Sequence, residues 1–175
     1  MTHTQDKTTT PTRANLLGCA LAPLAAAVFI IPHALAWGGA PLWAAFEHML
    51  PLILALALGT VVHELLHGLG MVWAGGVAWS EVELGLRGLM PYAHCKVPLA
   101  ASAYRVSVVL PGVVLGLVPG AVGVVWGQAW LTVYGALMTI AALGDVVILW
   151  LMRSVPGEAR VQDHPSAPGC QVLFE

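Results

Sequence analysis

Residues 42–74 read LWAAFEHMLPLILALALGTVVHELLHGLGMVWA, and this stretch decides the architecture. It is longer than the roughly 20 apolar residues a helix needs to cross a hydrocarbon layer. Its ionisable residues fall in two places, Glu47-His48 near the start and His63-Glu64-Leu65-Leu66-His67 in the interior. No polar stripe recurs along it, so it lacks the two-faced pattern of a helix that lies on a soluble core.

The rest of the 175-residue chain has the same character, with 58% hydrophobic and 9% charged residues and a mean hydropathy of +0.81. Soluble domains carry about a quarter charged residues. Between Ala14 and Ser80 the only charges are Glu47 and Glu64, and between Val106 and Met152 the only one is Asp145. Four spans follow: about Asn15 to Ala36, Leu42 to Ala74, Ala103 to Trp126, and Trp130 to Met152. Gly38-Gly39 with Pro41, Gly75-Gly76, and Gly127-Gln128 separate them. Trp126 and Trp130 flank the last turn, as aromatic side chains do at a membrane interface.

With the N-terminus inside, the inner segments carry Lys7, Arg13, Arg87, Lys96, Arg105, Arg153 and Arg160, which are all the basic residues. The positive-inside rule therefore favours both termini in the cytoplasm. The expected organisation is a cytoplasmic N-terminal tail over 1–13, one membrane-embedded domain over 14–153 and a cytoplasmic C-terminal tail over 154–175. An alternative for the first span is a signal peptide ending at Ala34-Leu35-Ala36. The expected fold class is an all-α polytopic membrane protein of about four transmembrane helices. A small β-hairpin is expected between the second and third, because Val82, Leu84 and Leu86 alternate with Glu81, Glu83 and Gly85. An interfacial loop is the other reading of that segment.

The net charge of −2 and the lack of a basic stripe exclude nucleic acid as a partner. Cys19, Cys95 and Cys170 are too far apart in sequence for a CxxC thiolate site.

The chemistry is concentrated in His63-Glu64-Leu65-Leu66-His67. On a helix, His63 and His67 at i and i+4 project from one face and can share one Zn²⁺, with Glu64 placed as a general base toward water. The bland alternative is two packed histidines, but ionisable groups inside a span are costly and functional by default. A catalytic zinc takes three protein ligands as a rule. Asp145 is the candidate third. It precedes Arg153 by eight residues, as His67 precedes Gly75, so each lies about 12 Å from its helix end. Asp145 could instead bond Thr132 or Thr139 of a neighbouring helix. His94 is a candidate fourth group or substrate contact; His33 and His48 lie too near the other face, and His3 and His164 lie in the tails. Pro111-Gly112 reads as a kink able to admit water. The edge of Val82–Leu86 offers strand addition to an extended substrate.

Val62-His63-Glu64-Leu65-Leu66-His67-Gly68, Met90-Pro91-Tyr92-Ala93-His94-Cys95 and Leu143-Gly144-Asp145 together resemble the zincin peptidase family of small bacterial membrane proteins, catalogued as a domain of unknown function. The likeness runs from about Gly59 to Asp163. More distantly the chain is similar to the site-2 protease group, in which a later helix supplies an aspartate ligand, the role Asp145 matches. In that group the aspartate is followed by glycine, whereas here Gly144 precedes Asp145 and Val146 follows it. No PDZ-like domain is present in the 175 residues. The resemblance implies a bacterial plasma membrane, a zinc cofactor, and a membrane protein or peptide as substrate. The competing function is a non-enzymatic scaffold or metal-binding accessory; a transporter fits poorly, since four helices with one polar cluster offer no through-path.

Overall fold

The computed structural model describes residues 3–88 and 90–174, and the side chains of His3, His48, Arg87 and Met90 lie outside that description. Expectations about the His3 and His48 side chains therefore fall outside the described residues.

The expected spans are present as helices. The first is α1, Pro11–Trp37. The second begins as a short helix α2, Ala40–Ala44, continues through a tighter turn over Ala45–His48, and becomes α3, Met49–Gly75. The third runs unbroken from α4, Ala101–Pro111, through a wide helical turn over Gly112–Leu117, into α5, Val118–Trp126. The fourth is broken into α6, Ala129–Ala141, and α7, Leu143–Leu151. Among the described residues, three helices are thus long and apolar enough to cross a membrane, or four if the bent α6–α7 pair is one span. Leu35 at 83% exposure and Trp43 at 77% illustrate an exposed apolar surface that supports membrane association.

The chain is mostly helical, as expected, and among the described residues two small antiparallel sheets accompany the helices. The predicted hairpin forms from β2, Val82–Arg87, and β3, Met90–Cys95, with Glu83 opposite His94. The chain ends, read from sequence as tails, contain β1, His3–Thr8, β5, Arg160–Asp163, and β6, Gly169–Phe174. With β4, Leu99–Ala100, they make a four-stranded sheet in the order β1-β6-β5-β4. The physical reason is the pairing of Val161 with Val172, both essentially buried, so the end segments have apolar side chains to hide.

The chain folds as two compact units. The first comprises Met1–Leu17, Glu64–Leu110 and Gly144–Glu175 and holds both sheets. Met71, Leu99, Tyr104, Met152, Val161 and Val172 form its core. In it α3 ends where Gly76 turns to φ +66, a backbone that favours glycine. The second unit comprises Gly18–His63 and Pro111–Leu143. Leu42, Ala45, Leu52 and Val133 centre one cluster there. Gly116, Gly120 and Gly123 let the π-turned segment and α5 meet Thr139, Gly135 and Thr132 of α6 at backbone distance, the small-residue packing typical of membrane helices. The division passes through α3 between His63 and Glu64, inside one continuous helix.

Candidate metal centre

α3 carries His63, Glu64 and His67, all half-buried, and the continuous helix puts the two histidines one turn apart on one face. In the first unit α4 lies directly against this helix. A Cβ on Gly70 would sit 2.5 Å from the Ser107 Cα, so only a residue without a side chain permits the approach. The close approach lets two hydrogen bonds form between the helices. The Ser107 hydroxyl donates to the His67 carbonyl at 2.8 Å, and His67 Nδ1 lies 3.0 Å from the Ser107 carbonyl.

That carbonyl is available for a chemical reason. In an α-helix it would accept from the residue four positions on, which is Pro111, and proline has no N–H. The Pro111 that reads as a kink in sequence thereby leaves an acceptor for His67. Since a carbonyl only accepts, Nδ1 carries the hydrogen in this bond and Nε2 is left to face Asp145.

Asp145 lies in the first turn of α7, where the break at Ala142 starts a new helix and its exposed N–H groups favour a carboxylate. Its Oδ1 is 3.5 Å from His67 Nε2, with the two side chains 12% and 16% exposed. Asp145 thus meets His67 rather than the threonines named as alternatives: Thr132 bonds His33 at 2.8 Å, and Thr139 bonds the Gly135 carbonyl at 2.8 Å. With His63, the ligand-type atoms of His63, His67 and Asp145 all lie within 4.8 Å of one another.

These residues fit a zinc ion. Two ligands about 2.1 Å from a tetrahedral zinc stand ~3.4 Å apart, close to the His67–Asp145 separation. Two imidazoles and a carboxylate are the right donors for zinc with one position left open.

The other described histidines stand elsewhere. His94 Nδ1 meets Asp163 Oδ2 at 3.2 Å. The same carboxylate accepts from the Tyr104 hydroxyl at 2.5 Å and from the Cys95 amide at 3.3 Å. The hydrogen bond to Asp163 raises the His94 pKa above its ordinary 6.5, with partial burial opposing it. His33 is buried in the second unit against Thr132, and His164 lies 3.9 Å from Asp6. Ser107, Tyr104 and Asp163 are the residues that sequence reading missed; only Ser107, four before a proline, carries a local signal.

A family model described as "Putative zincin peptidase" matches residues 56–160. No curated protein and no solved structure matches the chain.

Proposed function

The chain belongs to the zincin peptidase family, and on that premise we propose that it is a zinc-dependent, membrane-embedded peptidase acting on membrane or membrane-proximal polypeptides. His63, His67 and Asp145 hold the metal, and Glu64 is the general base. The observation that carries the reading is the convergence of His67 Nε2 and Asp145 Oδ1, from separate helices, at 3.5 Å.

Zinc bound there supplies Lewis acidity, polarising a peptide carbonyl and making water easier to deprotonate. Glu64, next to His63 on α3, takes the proton from the attacking water and returns it to the departing amine. Ser107 holds the His67 ring in place while this happens. The bond from Nδ1 to a fixed carbonyl also keeps the ring from turning its other nitrogen to the metal.

Metal analysis of the purified protein tests the ligand set. Wild type and Glu64→Gln are expected to keep zinc, and His63→Ala, His67→Ala and Asp145→Ala to lose it. Zinc retained in Asp145→Ala removes that residue from the set. Glu64→Gln is expected to lower cleavage of a co-expressed membrane substrate by ~100-fold or more, the usual weight of a general base. Normal cleavage by that variant overturns the mechanism. A metal-loaded wild type without cleavage leaves a metal-binding scaffold.

A further inference from the structure

In the first unit, the β2–β3 hairpin and the strands β5 and β6 border a cavity of about 810 Å³. Ligand sites commonly measure about 300–1,000 Å³. Its lining is mixed, with Tyr92 and His94 from β3 and Gln162 and Asp163 from β5 set among apolar residues such as Pro91 and Ala93. Tyr104 of α4 and Ile148 of α7 also line it.

Those two helical residues connect it to the metal centre. Tyr104 precedes Ser107 by three positions, and Ile148 follows Asp145 by three, so each pair shares a helix face about 4.5 Å apart along the axis. Both offsets point the same way, because α4 starts at β4 and the chain leaves α7 toward β5. The cavity therefore lies about one turn on the sheet side of His67 and Asp145. Its polar groups are also held in place. Asp163 is fixed by Tyr104, His94 and the Cys95 amide, and the Tyr92 hydroxyl donates to Glu83 at 2.8 Å.

Such a cavity is a poor host for an apolar helix. A helix about 10 Å across would desolvate these groups and offer none of its backbone N–H or C=O groups in return. An extended chain keeps its amides available for them. We propose that the cavity receives the part of the substrate beside the scissile bond, and that the substrate is an extended, membrane-proximal polypeptide segment. This inference rests on the peptidase reading above.

The test uses the full chain with Glu64→Gln, Cys19→Ser and Gln162→Cys. Gln162 is a cavity residue, so a bulky maleimide attached after folding fills the space without a folding penalty. The probes are a fluorescein-labelled soluble peptide of Ser, Ala, Gln and Lys, and a Leu/Ala helix long enough to span the bilayer. Labelling is expected to weaken binding of the soluble peptide at least ~10-fold, with zinc content and helix binding unchanged. Equal affinity before and after labelling, no binding of the soluble peptide, or preferential binding of the apolar helix each overturns the proposal. Failure of the peptidase reading looks different: a chain with Glu64 intact would bind the soluble peptide, be blocked by the label, and cleave nothing.

Discussion

His67 and Ser107 are bonded to each other twice, side chain to carbonyl in both directions, at 3.0 and 2.8 Å. A helix pair joined this way has little freedom to rotate about the bond, so the histidine ring is oriented before any ligand arrives. Three features make the pairing: a glycine at 70, a serine at 107 and a proline at 111.

Pro111→Ala restores an N–H four residues after Ser107, and that donor competes with His67 for the same carbonyl. Nitrogen NMR of the His67 imidazole in metal-free protein is expected to show a loss of preference for the Nδ1–H tautomer. Zinc affinity should fall by roughly 10-fold, the usual effect of disturbing a ligand's own hydrogen-bond partner. An unchanged tautomer and affinity would show that the proline has no bearing on the ligand.

Gly70→Ala places a methyl group against the Ser107 backbone, which cannot rotate aside as a side chain could. A loss of about 1–3 kcal/mol is expected, as for overpacked cores. Thermal unfolding in detergent reads it, and a midpoint equal to wild type would contradict the close approach of α3 and α4.

The His94–Asp163 contact gives stability a pH dependence. The His94 pKa is raised above 6.5 in the folded chain, first by its hydrogen bond to Asp163. A raised folded value means the stabilisation is fully present below the ordinary pKa and is lost as pH rises through the folded one. Thermal midpoints should fall relative to Asp163→Asn as the pH passes upward through that window. A constant difference between the two proteins across it would show that the contact carries no such linkage.

Burial raises the Cys170 thiol to about 11, and burial likewise raises that of Cys95. Since the thiolate is the reactive form, neither should react with maleimide near neutral pH until the chain unfolds. Rapid labelling of Cys170 in folded protein would contradict the packing of β6.

The four apolar runs were legible because membrane spans depend on length and composition, both local. The hairpin was legible because Val82, Leu84 and Leu86 alternate over a full strand. The terminal sheet was not. Its strands β4 and β5 span only two and four residues, and β1 finds its partner more than 160 positions away, as the Gln171–Asp6 bond shows, so neither end alone reveals a partner. The break at Ala142 lies in Ala141-Ala142-Leu143, which contains no helix breaker. For the site, helical spacing brought out His63 and His67, and equal depth pointed to Asp145. Asp163 gave no warning, since its partners Tyr104 and His94 are assembled by tertiary packing alone.

The pairing of β1 with β6 has a topological consequence. Strands cannot bond through a bilayer, so residues 3–8 and 169–174 share one face, and the chain between them makes an even number of crossings. β4 pairs with β5, which puts residues 99–100 on that face as well. If the three long helices cross a bilayer, parity requires the broken α6–α7 pair to cross as well, because Ala101–Trp126 alone would strand the chain on the far side. Reporters fused to the two ends must therefore give the same sidedness.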